Sequence, residues 1–367
     1  MHAEIPPEPV LHIAIGLITI FILVLILPFK VKIVEENLEP FFLIMGILAV
    51  TISGLWSREL VEEAILAPVS IGGLPIGIFQ VVLIAGLIIH KFNKQVYNGI
   101  IKFMNKAGFK FFVFILITIL GLISSIISVI VTAVILAEVI SAIPTDRGRK
   151  IELTVVTCFA VGLGAALTPV GEPLSTIAVS KLKGEPYHAD FLFLFKLLGI
   201  YLIPGIIALA VYASLKIGRI RIERAEVPEY TGTLRAVIIR AVRVYAFVSA
   251  LILLGGGLYP LVIWYIMKIP PQVLYWVNMI SAVLDNATLT AAEISPDLSI
   301  MQIKSALIGL LISGGMLIPG NIPNIVAAGR LRITSREWAG IGVPLGLVLM
   351  TVYFVVLMIE EVLLLGY

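Results

Sequence analysis

The feature that most constrains this chain is its succession of long apolar runs. They centre on residues 10–29, 40–57, 69–90, 111–143, 151–180, 190–215, 244–267, 272–294, 303–329 and 338–360, with short polar stretches between them. About 20 apolar residues cross the hydrocarbon core as a helix, and a helix satisfies its own backbone polar groups there. The reading is therefore an all-α polytopic membrane protein whose first partner is the lipid bilayer. Composition agrees: 60% of the 367 residues are hydrophobic and 13% charged, so a soluble fold is excluded. The net charge of +3 is too small to suggest nucleic acid and bears on orientation instead. A single cysteine, Cys158, rules out an internal disulfide. The N-terminal MHAEIPPEPV lacks the basic region of a signal peptide, so Leu11–Phe29 reads as a retained first span.

Basic residues test the topology. With the N-terminus outside and one span per run, Lys91–Lys110 falls inside but Asp146–Lys150 falls outside, against the positive-inside rule. The conflict disappears if 111–143 enters and leaves on one side. That stretch is too short for two spans, which need about 40 residues, but long enough for a re-entrant hairpin. A second hairpin at 272–294 leaves all but six of the 26 Lys and Arg residues inside, the exceptions being Arg58, Lys181, Lys183, Lys196, Lys268 and Lys304. The expected architecture is about eight full transmembrane helices plus two re-entrant hairpins, in a cell membrane. Residues 1–68 form N-terminal scaffold helices and 69–215 a first repeat. A charged linker follows at 216–243, then a second repeat, inverted relative to the first, at 244–367. The Lys-rich segment Asn93–Lys110 suits a separate helix lying in the interface.

The repeats are also visible in residues. Without gaps, LTPVGEPLSTIAVSKLK (167–183) lies over MLIPGNIPNIVAAGRLR (316–332). Gly171 meets Gly320, Ala178 meets Ala327, Leu182 meets Leu331, and Glu172 falls on Asn321. Each stretch interrupts an apolar run (151–180 and 303–329) with two prolines around a glycine, which breaks a helix. Inverted repeats with broken helices are the build of secondary transporters, whose sites lie where the helices unwind.

Four interruptions therefore carry the candidate residues. The broken helices offer Thr168, Gly171, Glu172 and Ser175, and Asn321 and Asn324; the tips offer Ser125, Ser128 and Thr132, and Asp285, Asn286 and Thr288. Charged residues at bilayer depth are costly and mark ion paths or proton relays. Oxygen ligands from Asp, Asn, Thr and carbonyls suit sodium, so Asp285, Asn286 and Thr288 form the candidate sodium site. Burial favours the protonated form of an acid, which lets protons compete with sodium at Asp285, with Glu172 as a second carboxylate. Glu138 and Glu293, near the hairpin ends, read as interfacial, and Glu152 as a first-turn residue. The four histidines are dispersed, no phosphate-binding GxxxxGK[ST] loop occurs, and no Ser/His/Asp arrangement points to an enzyme.

SAVLDNATLTAA (281–292) resembles the Asp-Asn motif of NhaD-type sodium/proton antiporters. GAALTPVGEPLSTI (164–177) and SGGMLIPGNIPNIV (313–326) resemble the broken-helix motifs of the ion transporter superfamily, and the chain is similar to a short branch of cation transporters within it. These motifs cover about a quarter of the chain. The resemblance implies a homodimer in which a transport domain moves as an elevator against a scaffold. It also implies ion binding by Asp285, Asn286 and Thr288, with the broken-helix residues following. The first hairpin departs from the pattern: Ser124, Ser125, Ser128 and Thr132 stand where relatives often carry a Ser-Asn-Thr or Asp-Asn cluster, which puts one of two expected sodium sites in question. Three readings follow: a sodium/proton antiporter, a sodium-coupled symporter of a small anion such as a carboxylate, and a channel or scaffold. The carboxylates in two interruptions, with no Lys or Arg in any of them, favour the first. No cofactor is expected beyond sodium as the transported or coupling ion.

Overall fold

The computed structural model describes residues 5–6, 8–66, 68–69, 78–127, 129–216, 234–265, 271–284 and 286–365. These are helical, with no strand among them. The helices are α1 (Leu11–Lys30), α2 (Lys32–Glu36), α3 (Leu38–Ser53), α4 (Arg58–Leu66), α5 (Ile78–Ala107), α6 (Phe109–Ile127), α7 (Val129–Ala142) and α8 (Arg147–Ala165). They continue with α9 (Pro173–Lys181), α10 (Phe193–Lys216), α11 (Leu234–Tyr265), α12 (Pro271–Val277), α13 (Asn286–Glu293), α14 (Ile300–Gly314), α15 (Ile322–Leu331) and α16 (Ser335–Leu365). Among the described residues, α1, α6, α10, α11 and α16 are long and apolar enough to cross a bilayer, while α3, α7 and α14 are shorter apolar helices. Their outward faces carry Ile, Val and Leu, as on α16 at Val348, Val352, Val355 and Ile359. An apolar surface of this extent suits lipid and not water.

One expectation about helix boundaries holds and another is corrected. Helical geometry breaks at Phe92 (φ −110°, ψ 20°), so α5 is two helices that meet at a kink, and the stretch from Asn93 to Ala107 is a helix of its own. The charged segment 216–243 is not all linker, because α11 begins at Leu234 and takes Arg235, Arg240 and Arg243 into its first turns. The EVPEYTG stretch lies outside the described residues.

The broken segments repeat in register. In the gapless alignment Ala165 corresponds to Gly314 and Pro173 to Ile322; α8 and α14 end at the first pair, and α9 and α15 begin at the second. The two segments run in opposite directions, each beginning where the other ends. Arg147 at the start of α8 donates to Arg332 O beyond α15 (2.8 Å), and Tyr187 beyond α9 donates to Leu298 O just before α14. They are also interlocked, with α15 packing on α7 and α9 packing on α13.

Contacts at the helix ends orient α6 and α7. Ser214 near the end of α10 donates to Lys110 O (2.8 Å), and Lys216 pairs with Glu152 on α8 (2.5 Å). At the other end of the stretch, Lys150 donates to Ser141 O (2.9 Å). Both ends of 111–143 thus lie at the N-terminal end of α8, where Lys110, Arg147, Lys150 and Lys216 gather. Glu152 sits in the second turn of α8, not the first, and its salt bridge explains a carboxylate there.

Backbone contact holds α6 on α8. A Cβ on Gly164 would lie 1.6 Å from Gly121 O, so the two helices meet main chain to main chain. Overpacking costs about 1–3 kcal/mol and more where backbone must move. Gly164→Ala is expected to fall at or above the top of that range, read as a drop in the thermal midpoint in detergent. A midpoint equal to that of Gly184→Ala, where a Cβ meets nothing within 4 Å, would contradict this packing.

Candidate functional site

Each break is braced by its own residues, and the bracing repeats. Gly171 packs over the terminal carbonyl of α8, where a Cβ would lie 1.9 Å from Ala165 O; Gly320 packs over that of α14, 2.5 Å from Gly314 O. Ser175 donates to Ala165 O (3.4 Å), and its alignment partner Asn324 donates to Gly314 O (2.8 Å). Helix ends leave carbonyls without intrahelical partners, and these side chains supply some of them. Asn324 also donates to Leu317 O (2.8 Å), so one carboxamide spans the second break. Glu172 and Asn321 occupy the same N-cap position. Asn321 accepts from Ile322 N (2.8 Å), whereas Glu172 is buried and does not cap α9. Asn321 also reaches the other segment, its amide lying against Gly162 of α8.

Hairpin tips meet these breaks. At the first, Val129 N donates to Gly171 O (2.7 Å) and Thr168 Oγ1 donates to Ser125 O (2.5 Å). Ser124 Oγ lies 2.6 Å from Gly121 O and 2.9 Å from Val161 O, and Ser125 Oγ donates to Leu122 O (2.8 Å). Thr132 is buried on α7. The hydroxyls of Ser124, Ser125 and Thr168 are therefore directed at main-chain carbonyls, and hold the tip together. Ser128 lies outside the described residues.

The second tip differs. Its first arm is α12 followed by a 3-10 turn, Asn278–Ala282, and its second arm is α13. The Gly320 backbone fits beneath the carbonyls of Ser281 and Ala282, and Ser313 on α14 donates to Asn278 O (2.6 Å). Asn286 is 3% exposed, and its Nδ2 has no hydrogen-bond partner; Asn324 Oδ1, fully buried, has none either. Buried polar atoms without partners are uncommon in native folds, and here two belong to expected site residues that both adjoin Gly314. Asp285, which directly precedes α13, lies outside the described residues, as does the side chain of Thr288. A small apolar cleft faces this tip, lined by Val24 and Phe42 of α1 and α3 and by Val283, Leu317 and Pro319.

Two carboxylates read as interfacial are buried instead. Glu138 is 5% exposed and forms a two-pronged salt bridge with Arg330 of α15, at 2.6 and 2.8 Å. Glu293 is 7% exposed and accepts from Asn278 Nδ2 (3.0 Å) across the arms of the second hairpin. The sequence did hold a signal for Glu293. Asn286, Thr290 and Glu293 are spaced four and three apart, which puts them on one face of a helix. Among the described residues no group of three or more His, Cys, Asp or Glu side chains could hold a metal ion.

A comparison with curated proteins finds no match. Residues 14–360 match the model of a family described as "Protein of unknown function (DUF1646)", and the chain belongs to that family.

Proposed function

We propose that the chain is a secondary active transporter that exchanges sodium for protons across a cell membrane. The observation that carries this reading is the pair of helix breaks. Each is braced in the same way, the two run in opposite directions, and each meets a hairpin tip. Irregular backbone at bilayer depth persists only where protein covers it or a cavity needs it, and paired breaks of this kind hold ions in secondary transporters. In this reading α6–α7 and 271–293 are re-entrant hairpins opening to opposite sides, and α8–α9 and α14–α15 are broken spans among about eight. The end of α8 that gathers Lys110, Arg147, Lys150 and Lys216 is cytoplasmic, and the N-terminus is outside.

Sodium binds at the second tip through Asp285, Asn286 and Thr288, with the unsatisfied Asn324 Oδ1 adding a neutral oxygen. A proton competes for Asp285. Either cation neutralises the site; without one, carrying the carboxylate across hydrocarbon carries a large desolvation cost, and this enforces exchange. The first tip, with its hydroxyls directed at carbonyls, stays a structural joint. The hairpins and broken spans move as an elevator against α1, α3, α5 and α11, in a homodimer. No covalent chemistry is involved.

The test is a sodium pulse applied to proteoliposomes that enclose a pH-sensitive dye, with no anion substrate present. Exchange predicts proton movement opposite to sodium. A silent dye would sink antiport and favour a sodium-coupled symporter of a small anion, for which labelled carboxylates are the next probe.

A further inference from the structure

The Asn278–Glu293 pair has more in it than one hydrogen bond. Asn278 Nδ2 donates to Glu293 Oε2 (3.0 Å), and it also lies 3.4 Å from Ala306 O. The other oxygen of each side chain, Asn278 Oδ1 and Glu293 Oε1, has no partner, although the residues are fully buried and 7% exposed. With Glu293 ionised, this is a charge in an apolar interior beside an unsatisfied carbonyl, which is costly on both counts. A single proton on Oε1 removes the charge and creates the donor that Asn278 Oδ1 lacks.

The other repeat shows what is missing. Glu138 sits near the end of α7 as Glu293 does on α13, and its charge is met by Arg330 from α15. In the gapless alignment Arg330 corresponds to Lys181, the last residue of α9, which packs on α13. Lys181 is exposed and forms no ion pair with Glu293. The other ionisable groups on elements packed against Glu293 are engaged or placed elsewhere. Lys304 of α14 pairs with Glu360 (2.7 Å), and Tyr275 of α12 donates to Met350 O. Arg235 and Arg243 occupy the first turns of α11, while Tyr259 and Tyr265 lie in its last turns. Asp297, beyond α13, is exposed and accepts from Ser295. None of these forms a salt bridge with Glu293.

We propose that Glu293 is a second proton-binding site, closed by Asn278 between the two arms of the second hairpin, in which the proton stands where a guanidinium stands in the first repeat. Binding forms one O–H bond on Oε1 and releases none, so the carboxylate becomes a neutral acid facing an amide. Glu293 lies five positions beyond Thr288, the nearest of the sodium ligands on α13, or about 7.5 Å along the axis, so this proton is held apart from the sodium ligands. Its use in transport rests on the exchange reading; its occupancy does not.

Infrared spectra of the protein in lipid vesicles, compared between light and heavy water, read the carbonyl stretch of protonated carboxyl groups. At neutral pH that band is expected to lose intensity in Glu293→Gln, which keeps the oxygen that accepts from Asn278, and to retain the lost component in Asp285→Asn. An unchanged band in a Glu293→Gln protein that elutes like the native one would overturn the proposal. The dye assay separates the two claims. A Glu293 band with no sodium-driven proton movement leaves the site standing and removes exchange; exchange with no Glu293 band does the reverse.

Discussion

Asp285→Asn is expected to abolish sodium-driven proton movement, down to the level of empty vesicles, while leaving a protein that folds and elutes as the native one does. The substitution keeps the size of the side chain and its neutral oxygen, and it removes the one property that exchange needs: a charge that sodium or a proton can neutralise. Protonation of an aspartate is a switch, whereas an asparagine is fixed in the neutral state. A variant that moved protons at the native rate would remove Asp285 from the mechanism. The neighbouring groups make this a demanding test. Asn286 and Thr290 remain in α13, with Thr290 Oγ1 donating to Asn286 O (2.8 Å), so the helix itself has no reason to change.

The second large effect concerns stability. Arg330→Met keeps much of the side-chain length and removes the guanidinium that meets Glu138 in two hydrogen bonds, with side-chain exposures of 16% and 5%. Removing one partner of a buried ion pair costs about 3–5 kcal/mol, because the remaining charge loses the interaction that made burial tolerable. The expected result is a large fall in the thermal midpoint in detergent, most of it restored when Glu138→Gln is added. Arg58→Met is the control. Its i,i+4 pair with Glu62 is exposed, at 86% and 51%, and such pairs contribute a few tenths of a kcal/mol. Equal midpoints for Arg330→Met and Arg58→Met would show that the α7–α15 bridge holds nothing together.

Local signals in the sequence carried the breaks well. Two prolines around a glycine disfavour a continuous helix at 168–173 and 319–324, and the observed helix ends lie on either side of them. The turn-back of 111–143 was legible for a different reason: too few residues joined two basic segments, and the structure gathers those segments at one end of α8. Partners far along the chain were not legible. Glu138 and Glu293 stand near the ends of apolar runs, where water is the ordinary neighbour, and their partners Arg330 and Asn278 come from other helices or turns. The helix that starts after Phe92 was legible because its lysines mark a change of environment, and helical geometry breaks at that residue. At the first tip, the hydroxyls of Ser124, Ser125 and Thr168 donate to the Gly121, Val161, Leu122 and Ser125 carbonyls, contacts that residue type alone does not foretell.

The crossed packing of the two halves sets a schedule for biogenesis. Glu138 and Arg330 are 192 residues apart, and translation at 5–20 residues per second puts roughly 10–40 s between their synthesis. During that interval the ribosome has made α7 but not the helix that covers it. Until the residues of α15 arrive, the Glu138 carboxyl of the nascent first half is left protonated or in contact with water. Pausing or truncating synthesis before Arg330 should consequently yield a degraded fragment, not a stable half-protein.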